Sequence, residues 1–279
     1  MSSDSISLLD AIILGIIQGL TEFFPVSSDG HLVVVQALLD YHKNNLAFDV
    51  FLHIGTLAAT VLIFRTEVKT LISRTLHFPS ALKVHGLSRL KSPTEDERWM
   101  LYIWITTLIT GILGLTFEKK IESYFTSAAA AGVGFLITSA VLFFGAFRSR
   151  LGIKRPEQLS YWLPVCLGIA QASALMPGIS RSGMTIATAF IFGIRREDAG
   201  RYSFTAAVPI IAMACLYEMR KVFREPPTEF PIWIVGALVS FIVGMIAIWG
   251  LLAMLKRLSL FPFAFYTFAI GIWTLWHFS

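Results

Sequence analysis

The sequence predicts an all-α, polytopic integral membrane protein. Six transmembrane helices and two re-entrant helix–turn–helix pairs are expected, arranged as an inverted-topology repeat. Three observations lead there. Of 279 residues, 55% are hydrophobic and only 15% charged, where a soluble domain carries about 25% charged residues. Six apolar stretches are about long enough to cross a bilayer, which takes about 20 residues. Two further apolar regions are each interrupted by a Pro- and Gly-containing break, and the two breaks resemble each other.

The charge deficit runs the whole length of the chain, with a mean hydropathy of +0.68. That excludes a soluble enzyme carrying one anchor. The formal net charge of +5 is expected in basic cytoplasmic loops, with no nucleic-acid partner. Cys166 and Cys215 both sit in apolar stretches without metal-ligand spacing and read as small core residues. Met1–Asp10 lacks a positive n-region, so a cleaved signal peptide is not expected.

The spans are expected at roughly 46–65, 99–118, 127–147, 202–220, 231–254 and 261–278. The first broken region runs from about 7 to 39 and is interrupted at Phe24-Pro25-Val26-Ser27-Ser28-Asp29-Gly30-His31. The second runs from about 159 to 194 and is interrupted at Met176-Pro177-Gly178-Ile179-Ser180-Arg181-Ser182-Gly183. Pro and Gly stop a helix there, and the arms that follow, 31–39 and 184–194, are too short to span. Each pair therefore enters and leaves on one face. Non-helical backbone at that depth is tolerated only under a cover of protein or water.

Val26-Ser27-Ser28-Asp29-Gly30 aligns with Ile179-Ser180-Arg181-Ser182-Gly183. Each has a Pro just upstream and a Gln, Gln18 or Gln171, further upstream. The chain reads as one membrane domain, 1–279, made of two copies of one plan, about 1–150 and 151–279. A re-entrant pair returns the chain to its starting face, and three spans then carry it across. The second pair must enter from the opposite side, so the repeat is inverted.

Charge orients the repeat. Loops 65–98, 148–158, 195–201 and 255–260 carry 16 of the Lys and Arg residues. The other face holds Lys43, Lys119, Lys120, Arg220, Lys221 and Arg224, and Arg181 alone falls inside the bilayer. The positive-inside rule makes the first face cytoplasmic. Loop 65–98 is then an ordinary basic cytoplasmic loop, and both termini and the mouth of the first pair face outward.

Gln18 and Glu22 share a helix face. A glutamate inside a membrane is costly unless it meets a cation or a partner. Glu22 either hydrogen-bonds a neighbouring helix or, with Gln18, holds a hard cation such as Mg²⁺ beside a phosphate. Ser27, Ser28 and Asp29 precede the short arm. They either cap its N-terminus or belong to an anion site, where Ser28 beside His31 supplies a nucleophile and a base. Arg181, flanked by Ser180 and Ser182 with Thr185 one turn on, either pairs structurally with an acid such as Glu22 or grips phosphate oxygens. Asp49 and His53, four apart in the first full span, line the same cavity or pair structurally. Glu118, Glu122, Glu218 and Glu225 fall near span ends and are expected to be solvated. Two helix N-termini meeting at mid-membrane hold an anion, and that arrangement belongs equally to transporters. The Glu–Ser–His set favours catalysis.

These motifs resemble the undecaprenyl pyrophosphate phosphatases linked to bacitracin resistance, over essentially the whole chain. Gln18-Gly19-Leu20-Thr21-Glu22 is similar to the family's first motif, with Gln where many members have Glu. Pro25 to His31 is similar to its Pro-Val-Ser-Ser-x-Gly-His, with Asp29 where Thr or Ser is common. Pro177 to Thr185 matches Pro-Gly-x-Ser-Arg-Ser-x-x-Thr in full. Phe48-Asp49-Val50-Phe51-Leu52-His53-Ile54-Gly55-Thr56 and Phe261-Pro262-Phe263-Ala264 also resemble the family. The resemblance implies hydrolysis of undecaprenyl pyrophosphate to the monophosphate and phosphate, with Mg²⁺ or Ca²⁺, at the outer face of the bacterial inner membrane, which recycles the cell-wall lipid carrier. It further implies that Glu22, Ser28, His31 and Arg181 are catalytic and that Ser27, Ser180, Ser182 and Thr185 bind the pyrophosphate. Glu22 and Gln18 would hold the metal, with Asp29 and Asp49 as further candidates. The partners expected are the polyprenyl pyrophosphate and membrane lipids, and a homodimer is allowed. The alternative is a polyprenyl-phosphate flippase using the same anion site. A type-2 phosphatidic acid phosphatase would need a three-part Lys-Arg-Pro, Ser-Gly-His and Ser-Arg-His pattern that the chain lacks, and a structural scaffold would have no use for buried Glu, His and Arg.

Overall fold

A computed structural model describes residues 6–39, 46–86, 88–148, 154–155, 160–224, 229–257 and 259–279. Lys43, Arg150 and Glu225, used above to orient the chain or placed at span ends, lie outside the described residues. Among those described, the chain forms twelve helices and one isolated bridge between Lys154 and Ile194.

The first half contains α1 (Leu8–Thr21), α2 (Ser28–Leu38), α3 (Leu46–Ile63), α4 (Arg65–His85), α5 (Ser88–Lys91), α6 (Glu95–Tyr124) and α7 (Ala128–Arg148). The second contains α8 (Trp162–Ser173), α9 (Arg181–Ile191), α10 (Arg196–Arg224), α11 (Phe230–Arg257) and α12 (Phe261–Phe278). Four helices are long and apolar enough to cross a membrane: Glu95–Phe125, Ala128–Arg148, Arg196–Arg220 and Phe230–Met254. Ala47–Ile63 with Arg65–Val84 makes a fifth if that pair, bent by 88°, counts as one. α12 fills the sixth expected stretch but falls short of that measure, because Tyr266, Trp273, Trp276 and His277 dilute its apolar run. Large exposed apolar side chains such as Leu115, Phe144, Leu216, Trp249 and Trp276 stud the outside of the bundle. In water such surface would be a liability, and against acyl chains it is the ordinary exterior. The protein is a multi-pass integral membrane protein.

The stretch 65–98 is not a loop. It holds the 21-residue α4 and the short α5. α6 starts at Glu95, earlier than the apolar run, because Thr94 and Glu97 form a capping box: Glu97 N–H donates to Thr94 Oγ1 at 3.3 Å, and Thr94 N–H donates to Glu97 Oε2 at 2.7 Å. A polar cap decides where a helix begins even where hydropathy does not.

The two broken regions form helix–turn–helix pairs at the expected places. α2 and α9 have 11 residues each, about 16 Å of helix, roughly half the hydrocarbon thickness. The pairs interlock across the halves. α1 packs on α11 while α8 packs on α6, and α2 and α9 both pack on α7. A core between the halves includes Phe23, Phe64 and Phe204, with the Phe23 and Phe204 rings edge-on at 5.8 Å.

Candidate active site

The two breaks meet backbone to backbone. Gly178 has φ +84° and lies so close to α7 that a Cβ would stand 2.0 Å from Ala131 O. A Cβ on Gly30 would stand 2.6 Å from Gly178 Cα. Only glycine permits that approach together with that backbone. α7 also ties down the second turn. Thr138 Oγ1 donates to Gly178 O at 2.8 Å and accepts from Ser180 N–H at 2.9 Å.

Both short helices begin with a serine cap. Ser27 Oγ accepts from Gly30 N–H at 3.3 Å and Ser180 Oγ from Gly183 N–H at 3.1 Å. Capping is thus a role of each, one of the two roles expected for Ser27 and an additional one for Ser180. Ser27 differs in its backbone: at φ +70° it is the only described non-glycine residue with positive φ. A residue in such a conformation persists only where its surroundings hold it.

His31 supplies that hold. Its Nδ1 lies 2.6 Å from Ser27 O. That carbonyl only accepts, so Nδ1 carries the proton and donates. Nε2 then accepts from Tyr266 O–H at 2.8 Å, and the His31 ring stacks on Tyr266 at 5.7 Å. Both ring nitrogens are occupied, so the Ser28–His31 pair expected from adjacency does not form. Ser28 Oγ instead donates to Glu22 Oε2 at 2.7 Å.

Glu22 is the hub. Besides Ser28, Oε2 accepts from Gln18 Nε2 at 3.1 Å, and Oε1 accepts from Arg181 Nη2 at 2.8 Å. The Glu22–Arg181 ion pair joins residues 159 positions apart in sequence, one from each break. His53 Nε2 stands 3.5 Å from both Glu22 Oε2 and Asp29 Oδ1. Its Nδ1 donates to Asp49 O at 2.8 Å, and Asp49 Oδ1 accepts from Gln36 Nε2 at 2.8 Å. Asp49 and His53 thus line one cavity, and the pairing between them runs through the Asp49 backbone.

A cavity of about 180 Å³ opens onto this cluster. Its polar wall holds Glu22, Ser27, Ser28, Asp29, Asp49, His53, Ser180 and Arg181, and Ile210, Ile211, Ala214, Cys215 and Leu175 form an apolar wall. Gln18, His31, Ser182 and Thr185 stand behind the wall. Ser182 Oγ donates to Phe24 O at 3.2 Å, stitching the second break to the first. Thr185 Oγ1 shares a hydrogen bond with Ser203 Oγ at 2.6 Å, and Arg181 Nη1 donates to Ser203 O at 3.4 Å. Sequence reasoning missed Tyr266, Gln36, Thr138 and Ser203. Gln36, a buried amide on an apolar arm, was the legible signal among them; the other three carry no local mark.

For a divalent cation the donor chemistry fits. Among the described residues, no three His, Cys, Asp or Glu groups form a ready metal cage. Mg²⁺ does not need one, since it binds through one or two carboxylates, waters and substrate phosphates. Glu22 and Asp29 meet that requirement on either side of His53. Gln18 turns its amide N–H toward Glu22, and its buried Oε1 has no hydrogen-bond partner.

The site therefore places a carboxylate, a hydroxyl, an arginine and two helix N-termini around a half-apolar cavity, as an anion-handling membrane protein requires. Comparison with known proteins narrows the class. The sequence model of the family described as "Bacitracin resistance protein BacA" matches residues 11–273, and the chain belongs to that family. A protein named undecaprenyl-diphosphatase from Korarchaeum cryptofilum is 40% identical over 95% of this chain and 97% of its own length. One of the same name from Geotalea daltonii is 36% identical over 95% and 96%, and one from Methanobrevibacter smithii is 34% identical over 95% of both chains.

Proposed function

We infer that this chain is an undecaprenyl-diphosphatase, hydrolysing undecaprenyl diphosphate to undecaprenyl phosphate and inorganic phosphate. Its family membership and the full-length likeness to proteins of that name support the activity. The observation that carries the chemistry is the Ser28–Glu22–Arg181 constellation on the wall of a half-apolar cavity.

In the reaction proposed here, Ser28 Oγ attacks the terminal phosphorus and Glu22 Oε2 takes its proton. The anhydride bond breaks and undecaprenyl phosphate leaves. Water then attacks the phosphoserine, and the proton returns to Ser28 as phosphate departs. Arg181 and the N–H groups at the start of α9 hold the phosphoryl oxygens as charge shifts onto them. Binding of the diphosphate draws Arg181 away from Glu22, which leaves Glu22 a stronger base. His31 acts at one remove, holding the Ser27 turn that aims Ser28. Ser182 and Thr185 brace Arg181 from behind. The apolar wall receives the start of the polyprenyl chain.

Glu22 and Asp29 would hold Mg²⁺ or Ca²⁺, with Gln18 steadying Glu22. Such a cation neutralises charge on the diphosphate and orients it.

The reading is completed by a topology of six spans and two re-entrant pairs in an inverted repeat, 1–150 against 151–279. The reciprocal packing of α1 on α11 and α8 on α6 supports it. The charge count supports outward termini and a first pair opening to the periplasmic side of the inner membrane.

Phosphate release from undecaprenyl diphosphate by detergent-purified protein tests the proposal. Release should stop with EDTA and return with Mg²⁺. Ser28→Ala should lower kcat by about a thousandfold or more while KM moves little, as loss of a nucleophile requires. Ser28→Ala at wild-type rate would remove serine from the chemistry. A second comparison weighs His31: Thr138→Val and His31→Asn, each of which loosens one turn, should lower kcat by about ten- to a hundredfold, roughly one or two lost buried hydrogen bonds, and Thr138→Ser should recover it.

A further inference from the structure

α4 has no part in the site. It leaves α3 at Phe64 with a bend of 88°, so it runs across the span direction. It is pinned to the starts of two spans. Arg74 Nη2 pairs with Asp96 Oδ2, in the first turn of α6, at 2.7 Å. Arg201 Nη2, near the start of α10, pairs with Glu67 Oε1 at 3.2 Å. Trp104, two turns further into α6, donates from Nε1 to Thr75 Oγ1 at 2.8 Å. An indole hydrogen-bonded at that level is the ordinary mark of a membrane–water boundary.

The helix carries three stripes with alternating spacings of three and four, so each stripe is one face. Val68, Leu71, Thr75, Phe78 and Leu82 are buried or half-buried. Ser73, His77, Ser80 and Val84 are exposed and mainly polar. Between them runs Arg65, Lys69, Ile72, Leu76, Pro79 and Lys83, all exposed. Leu76 is 72% exposed and Ile72 54%. That stripe is apolar in the middle and cationic at both ends. Among the described residues, Arg65, Lys69 and Lys83 have no carboxylate partner, whereas Arg74 has one.

We propose that α4 is a membrane-surface helix whose exposed stripe binds anionic phospholipid headgroups, with Arg65, Lys69 and Lys83 on the phosphates and Ile72 and Leu76 among the upper acyl carbons. A leaflet is the one occupant that answers both halves of the stripe. Apolar side chains flanked by uncompensated cations match acyl chains under negative headgroups, and long basic side chains reach up from such a position. A soluble acidic partner would leave Ile72 and Leu76 unanswered.

The test is hydrogen–deuterium exchange of residues 65–85 in nanodiscs of phosphatidylcholine alone and with phosphatidylglycerol. Phosphatidylglycerol should slow α4 exchange by roughly fivefold for each cation engaged, and leave α10 and α11 unchanged. Lys69→Gln with Lys83→Gln should remove most of the difference while hydrolysis in detergent stays at the wild-type rate. If that variant fails to fold, salt on the wild type serves instead, because at about 1 M the Debye length shrinks to about 3 Å and the difference should vanish. Equal exchange in both lipids, a slowing shared by every helix, or a difference that survives salt would overturn the proposal.

Discussion

Glu22→Gln and Arg181→Ala should each lower kcat/KM for undecaprenyl diphosphate by about a thousandfold or more, and combining them should cost little beyond the worse single change. Glu22→Gln keeps the shape and the hydrogen bond to Ser28 while removing the charge that accepts its proton. Arg181→Ala removes a bidentate donor aimed at charge that grows during phosphoryl transfer, worth about 10²- to 10³-fold by itself. It also strands a buried carboxylate, since the Glu22 side chain is only 5% exposed. Breaking a buried pair from one side costs about 3–5 kcal/mol, so the thermal midpoint of Arg181→Ala should fall as well. The double variant strands neither charge and should regain part of that stability. Residues acting as one unit are not additive, and the cycle is read from initial rates and from melting in the same detergent. Additive losses in rate would separate the two halves of the site.

Gly178→Ala should be the most damaging substitution outside the polar cluster. Its Cβ would stand 2.0 Å from Ala131 O and 2.8 Å from Phe135 N, and φ +84° is a conformation that L side chains rarely adopt. Backbone atoms cannot step aside as a flexible side chain can, so the second turn must shift, taking Arg181 with it. Gly30→Ala attacks the same junction from the other break, 2.6 Å from Gly178 Cα. Both should leave little folded protein by size-exclusion chromatography, and whatever folds should be nearly inactive. Gly193→Ala is the control: its φ is +81° but nothing lies within 4 Å of its Cβ. Strain alone should cost about 1–2 kcal/mol there, with activity retained. Equal losses at Gly178 and Gly193 would mean that backbone strain, and not contact between the breaks, sets the effect.

Much of the protein was legible in the chain itself. Membrane residence follows from composition, because hydrophobicity summed over 20 residues does not depend on what packs against it. The positions of the long helices and of both breaks follow for the same kind of reason, since Pro177 and Gly178 interrupt a helix wherever it lies. Residue types marked the site: Glu22 and Arg181, charges expected inside the membrane, were picked out by their cost, and Glu22 was already a candidate partner for Arg181. α4 was not legible, because its mixed stripes have loop-like average polarity and only the neighbouring ends of α6 and α10 give them a direction.

Only the tertiary structure decided which partner each of these groups has. Nearness in sequence favoured His31 for Ser28, but one helical turn puts His31 under the Ser27 carbonyl and against Tyr266, while a turn of chain brings Glu22 to Ser28. Gln18, expected on the metal, gives its amide N–H to Glu22 and keeps a buried Oε1 without a hydrogen-bond partner. His53 and Asp29 meet although they belong to different helices. Local sequence determines where a helix starts and stops, since those terms involve atoms a few residues apart. Which side chains face one another across α1, α3 and α9 depends on how closely the helices approach, and that is set by contacts such as Gly30 on Gly178, between residues far apart in the chain.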